Sequence, residues 1–197
     1  MKTMKTLALV AIAGFAFNAN ADVLTFDFDI ADFGDVPEDV INFDFDFEAM
    51  AGGQIASIES VSIELSHSWA DDIRFSMTAA DGAFFEMLSG EGGNSDLGDG
   101  SNTLDALGTY SFVEAGGLGN FDDFQDGPPI ASGTYDAISW GAPGPYAAGS
   151  WNLFLRDRFS GDDGAVGSIS INYTLVPAPG AMALMGLGGL VATRRRR

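Results

Sequence analysis

The side chains able to do chemistry are few in kind. His67 is the only histidine and there is no cysteine. Thiol nucleophiles, disulfides, thiolate metal sites and multi-histidine zinc sites are therefore excluded. Ser66 and Ser68 flank His67, but strand alternation sends both to the face opposite the imidazole, and no Gly-x-Ser-x-Gly elbow is present. His67 is expected to fix a loop by hydrogen bonding rather than to act as a base. The chemistry in excess is carboxylate, with 28 Asp and Glu against 9 Lys and Arg. Hard cations such as calcium take about six to eight oxygens, largely from loop carboxylates and carbonyls. Candidate clusters are Asp71 with Asp72, Asn94 with Asp96 and Asp99, Asp122 and Asp123 with Asp126, and Asp157 with Asp162 and Asp163. The same residues also suit Asx turns and a solvated acidic surface. No carboxylate pair stands out as a glycosidic acid–base couple, so an enzyme is not expected.

Charge is concentrated in the middle of the chain. Lys2, Lys5 and Arg194 to Arg197 occupy the two ends, which leaves Arg74, Arg156 and Arg158 as the cations of segment 22–176 against all 28 carboxylates. A body of charge −25 repels phosphate backbones, which excludes nucleic acid as a partner. Such acidity often marks disorder. A hydrophobic content of 46% with 12% aromatics points instead to a packed domain.

The elements that must position these groups are strands. Leu24, Phe26, Phe28 and Ile30 alternate with polar residues, as do Ile41, Phe43, Phe45 and Phe47, and then Val61, Ile63, Leu65, His67 and Trp69. Each run predicts a half-buried strand with one apolar face. Further strands are expected at Ile73–Thr78, Ala83–Leu88, Thr109–Val113, Trp151–Asp157 and Ser168–Leu175, with a hairpin turn at Asp81-Gly82. Nothing in the body shows helical periodicity, and 26 glycines favour many turns. Ser89–Leu107 and Glu114–Ala148 read as long irregular stretches. Trp69 and Trp151 sit in strand pattern and are expected in the core. Trp140 and Tyr146 fall in a Gly/Pro-rich loop and could stack on sugar rings. The fold expected is all-β, a two-sheet β-sandwich or jelly roll over residues 22–175.

The two ends read as addresses. Lys2 and Lys5, the apolar run Leu7–Phe17 and Ala19-Asn20-Ala21 have the three parts of a signal peptide over residues 1–21, with Asp22 as the first mature residue. At the other end, Val176-Pro177-Ala178-Pro179 precedes an apolar stretch, Gly180–Thr193, too short for a comfortable membrane span. Arg194, Arg195, Arg196 and Arg197 would hold that tail on the cytoplasmic side. The order of proline motif, short transmembrane sorting helix and arginine cluster over 176–197 resembles the PEP-CTERM signal of Gram-negative bacteria that export polysaccharide. The resemblance implies processing by an exosortase-type enzyme near the proline motif. Ala178 stands where that motif has Glu.

The body carries a second resemblance. Ile63–Phe75 with Met77–Gly82, and Gly149–Asp157 with Gly161-Asp162-Asp163-Gly164 and Ile169–Ile171, are similar to the P domain (Homo B domain) of subtilisin-like proprotein convertases. The likeness covers about residues 40–175, with Ala80 in place of the hairpin proline and Asp71 in place of a glycine. It implies a galactose-binding-like jelly roll, and calcium in some members. The expectation is an exported, surface-sorted, non-catalytic domain of the cell envelope or extracellular matrix. Its partners would be envelope proteins or matrix polysaccharide, and the alternative reading is a carbohydrate-binding or adhesive module.

Overall fold

Alternation becomes two faces wherever the sequence pattern held. In β1 (Asp22–Ile30) Leu24, Phe26 and Phe28 are buried while Val23, Asp27 and Asp29 are exposed. The strands that follow are β2 (Val40–Asp46), β3 (Ile55–His67), β4 (Ile73–Thr78), β5 (Phe84–Ser89), β6 (Gly108–Val113), β7 (Gly133–Asp136), β8 (Ser150–Asp157) and β9 (Gly164–Leu175), and the alternation is cleanest in β8. This computed structural model describes residues 21–34, 39–90, 95–101, 103–123, 128–159, 161–162 and 164–177. The expected signal peptide, apart from Ala21, and the tail from Ala178 through Pro179 to Arg197 lie outside the described residues.

The strands form a five-stranded sheet, β1-β9-β3-β6-β7, and a four-stranded sheet, β2-β8-β4-β5. All pairings are antiparallel except β6 with the edge strand β7. Without β7 the two orders are those of an eight-stranded jelly roll, in which successive strands cross between sheets except at the β4–β5 hairpin. The core lies between the sheets and is rich in aromatics. Phe26, Phe45, Phe47, Trp151, Tyr146 and Phe85 pass from ring to ring at centroid distances of 5.0 to 6.3 Å. A second cluster joins Tyr110, Phe112, Phe121 and Tyr135. Burial pushes the Tyr110 hydroxyl up to about 12. It therefore stays a neutral donor, giving its proton to the Ile130 carbonyl at 2.9 Å while accepting from Gly98 N–H at 2.6 Å.

Several sequence expectations are corrected. Phe47 does not continue β2 but opens a helical turn, α1 (Phe47–Ala51), because Asp46 accepts from the Ala49 N–H and Gly52 closes the turn in the left-handed region. Trp69 lies beyond the end of β3 and is 39% exposed, so it is not a core residue. Tyr146 is 3% exposed and Trp140 packs edge-on against Phe85, so neither forms an open platform. The stretch Glu114–Ala148 contains β7, which pairs parallel to β6. The hairpin at Asp81-Gly82 stands as expected, with the Ala79 N–H bound to the Ala83 carbonyl and Gly82 at φ +88.

Candidate functional site

The ends of β3 and β8 bring the histidine and part of the acidic set together. His67 closes β3, where its backbone exchanges hydrogen bonds with Leu97 at 2.9 and 2.7 Å. Its imidazole is wholly buried. Nδ1 accepts from the Trp69 N–H at 3.1 Å and lies 2.9 Å from the Trp69 carbonyl. On the other side of the ring, Nε2 faces Asp157 Oδ2 at 3.5 Å. That distance and its poor alignment leave both atoms without a hydrogen bond. Asp157 is also fully buried, and its Oδ1 accepts from the Phe159 N–H at 3.0 Å.

Alternation fails here for a physical reason. Leu65, Ser66 and His67 are buried in succession, so the end of β3 is covered on both faces. The Ser66 hydroxyl donates to the Leu97 carbonyl at 3.2 Å and accepts from the Ser101 N–H at 3.1 Å. It ties down a loop on the side away from the imidazole, as the alternation predicted. On the imidazole side, Phe33 and Gly34 form the cover, with the Phe33 N–H bound to the Gly164 carbonyl at 2.8 Å. Gly34 has φ +107, and a Cβ there would lie 2.5 Å from Asp157 Oδ2 and 2.8 Å from the Asp162 carbonyl. Only glycine lets the backbone approach so closely.

Asp71 and Asp72 occupy a single 3-10 turn, Ala70–Asp72, between β3 and β4. The Asp72 carbonyl accepts from the Arg158 N–H at 2.9 Å, which joins this turn to the exit of β8. Asp72 is 4% exposed. Burial raises its carboxyl to about 7, assisted by a hydrogen bond with the Asp162 side chain and by the charges of Asp71, Asp162 and Asp157. Two carboxyl groups in such contact need a shared proton or a cation between them.

The corner thus gathers Asp71, Asp72, Asp157 and Asp162, drawn from two of the predicted clusters, around His67. Asp163 lies outside the described residues, as do Asp126 and Asn94. Asp122 and Asp123 belong to another 3-10 turn, Phe121–Asp123, which is pinned by Phe121 packing on Tyr135, and Asp123 is exposed. Asp99 sits in an Asx turn, where hydrogen bonding to Ser101 holds its carboxyl below the ordinary value. Among the described residues no group of three or more His, Asp or Glu side chains is arranged to hold a metal ion. The fit to calcium is therefore partial: Asp72 and Asp162 offer a carboxylate pair, and Asp157 Oδ2 faces the adjoining Gly34–His67 side.

Beside the corner a groove of about 290 Å³ is lined by Ile30, Asp32, Phe33, Asp39, Val40 and Phe43. Asp39 already accepts from the Gly34 N–H at 3.0 Å, so it serves the cover over the buried pair. The His67–Asp157 contact and the exposure of Trp69 escaped sequence reasoning, because both depend on where β3 stops and what caps it.

No protein-family model matches the chain, and no curated protein does. Solved structures give distant likenesses only. An exo-β-agarase aligns over 90% of this chain and 24% of its own at 11% identity, with a TM-score of 0.33. The Aeromonas sobria serine protease, in complex with its chaperone, aligns over 87% of this chain and 27% of its own at 15% identity and TM-score 0.34. Dimeric latent PorU from Porphyromonas gingivalis aligns over 85% and 14% at 12% identity and TM-score 0.34. The chain spans about a quarter or less of the length of these proteins. The assignment as a β-sandwich rests on the strand order itself.

Proposed function

We propose that this chain is an exported, surface-sorted, non-catalytic β-sandwich that serves as a structural or interaction module of the bacterial envelope or extracellular matrix. The observation that carries the non-catalytic reading is the burial of His67. The only imidazole of the chain is sealed beneath Gly34, bound through Nδ1 to the Trp69 backbone and facing Asp157 at 3.5 Å. The export and sorting reading rests on the two terminal sequence patterns and on the PEP-CTERM and P-domain resemblances. Its partners are an exosortase-type enzyme during sorting, then matrix polysaccharide or envelope proteins. Calcium in this reading is a stabiliser of the Asp72–Asp162 pair. It has no part in a reaction.

The body and tail meet at a defined place. Leu175 ends β9, and the Val176 N–H still donates to the Gln54 carbonyl at 2.8 Å, while Pro177 is exposed. Processing beyond Val176 would leave the sandwich intact. Intact-mass analysis of the surface form in an exosortase-bearing Gram-negative host is the test. A mature chain beginning at Asp22 and ending close after Val176 supports the proposal. Retention of Arg197 on the surface form overturns it.

A second reading, binding of matrix polysaccharide, is favoured by the outer face of the four-stranded sheet. There the half-buried Phe154 lies in register between Asn42 and Ser76, and Asn152 bridges Asn42 and Asp44 at 2.8 and 2.9 Å. An aromatic ring among planar hydrogen-bonding groups suits a sugar, which has both apolar and hydroxyl faces.

A further inference from the structure

The two sheets have four edge strands, β1 and β7 in one and β2 and β5 in the other. Three of these edges are closed or broken. The outer edge of β5 is covered by Ile138 and Ser139, which exchange backbone hydrogen bonds with Glu86 at 2.8 to 3.1 Å. β7 is covered by Leu118 and Gly119: the Leu118 N–H donates to the Thr134 carbonyl at 2.8 Å, and the Asp136 N–H to the Gly119 carbonyl at 2.9 Å. β1 is interrupted by a bulge, since its register with β9 shifts between Asp27 and Ile30 and Asp29 takes φ +48. β2 has neither device. It pairs with β8 from Val40 opposite Arg156 to Asp46 opposite Ser150 without a shift. Among the described residues no strand, bridge or backbone hydrogen bond meets its outer edge. A regular open edge is a template for another strand.

The groove of about 290 Å³ lies beside this edge. β1 and β2 meet across the side of the sandwich, where the Phe26 ring packs on Phe43 and Phe45 at 5.1 and 5.0 Å. Phe43 belongs to the inward series between Ile41 and Phe45, which are buried, yet it stays half-buried, as does Ile30 at the end of β1. Both line the groove, so apolar surface is open next to the uncovered backbone of β2. The surrounding charge is negative. Asp32 and Asp39 line the same groove, and Asp44 and Asp46 are exposed on β2. The cations of this sheet stand further in: Arg156 of β8 opposite Val40, and Arg74 of β4 opposite Arg156 and paired with Glu86 at 3.1 Å. A second copy of segment 22–176, at −25, is repelled here, whereas a basic strand is attracted. We propose that the β2 edge binds an extended cationic segment of a partner protein by strand addition. Its backbone hydrogen-bonds along Val40–Asp46, an apolar side chain enters the groove at Phe43, and its cations meet Asp39 and Asp44. In this mode the main chain supplies affinity and alternate side chains supply specificity. The inference rests on the interaction-module reading above and names its surface and class of partner.

The test uses the full-length chain and a short synthetic peptide alternating lysine and valine. A glutamate–valine peptide of equal length probes charge, and an N-methylated lysine–valine peptide probes backbone bonding. The lysine–valine peptide is expected to bind, more weakly as sodium chloride is raised, and to protect the amides of Val40–Asp46 from hydrogen exchange. N-methylation should weaken binding by on the order of tenfold, through lost main-chain hydrogen bonds. Val40→Lys, at a side chain 45% exposed beside the groove, should weaken it by a similar factor, about tenfold. Thr109→Lys adds the same charge on β6 of the other sheet and should leave binding nearly unchanged. If Val40→Lys fails to fold by circular dichroism, Asn42→Lys, also exposed and lining the groove, carries the test. Equal binding of the N-methylated peptide overturns strand addition, and equal binding of the glutamate peptide overturns the charge preference. Unchanged binding to a folded groove variant overturns the groove. A chain already dimeric without peptide, with Val40–Asp46 protected, gives the edge to a second copy and overturns the proposal. Absence of binding removes the proposal and leaves the interaction-module reading in place, since intact-mass analysis tests that reading separately.

Discussion

Asp72→Asn should flatten the response of stability to pH across the neutral range. Asp72 is 4% exposed and shares a hydrogen bond with Asp162, which raises its carboxyl from 3.8 to about 7. The folded state thus holds this proton more tightly than the unfolded chain does. The resulting stabilisation is complete below about pH 3.8 and is lost as pH rises through about 7. A displacement of that size corresponds to at most about 4 kcal/mol. Of that, about 2 kcal/mol falls between pH 5.5 and pH 8, because the part between pH 3.8 and pH 5.5 is already lost. Ordinary carboxylates have finished titrating by roughly pH 5.5, so urea unfolding at pH 5.5 and pH 8 isolates the effect. Between those conditions wild-type protein should lose about 2 kcal/mol more stability than the Asn variant, which keeps a neutral hydrogen-bonding group. Calcium at pH 8 should do for wild-type protein what the proton does at pH 5.5, beyond the effect of sodium chloride at matched ionic strength. An equal slope in wild type and variant would refute the shared-proton account, and a calcium shift reproduced in full by sodium chloride would remove the metal from it.

Two further predictions concern the scaffold. Leu65→Ala removes a fully buried side chain between the sheets and should cost about 2–5 kcal/mol in urea unfolding, whereas a loss under about 1 kcal/mol would contradict its place in the core. Gly34→Ala combines φ +107 with a Cβ placed 2.5 Å from Asp157 Oδ2, so it should destabilise by about 2 kcal/mol or more, and hydrogen exchange should locate the loosening at the ends of β3 and β8.

Much of the sandwich was legible because burial of one sheet face imposes a period of two on the sequence. Leu24 to Phe28, Val61 to Leu65 and Trp151 to Leu155 carry that period, and all three segments are strands with those residues inside. The period says which face a residue takes. It does not say which strand lies alongside. The opposition of Arg74 and Arg156 depends on β4 and β8 being neighbours in one register, over a separation of some eighty residues that no local pattern encodes. The same limit hid β7, a four-residue strand whose parallel partner is set by tertiary packing.

The acidic corner was half legible for a different reason. Aspartates at strand ends suit solvent, a turn or a cation equally well, and composition cannot separate these uses. Burial separates them. Asp99 remains outside and caps a turn, Asp123 remains outside on its own turn, and Asp72 and Asp157 go inside with His67. The distinguishing feature is the break in alternation at Leu65, Ser66 and His67, where three consecutive buried residues mean that something covers the strand from both sides. At β3 the cover on the imidazole side is Gly34, and the absence of a side chain there is what allows the backbone to close over Asp157 and His67. The corner is therefore built by a strand that ends under a glycine lid. That arrangement places the chain's only histidine and two of its aspartates in the interior.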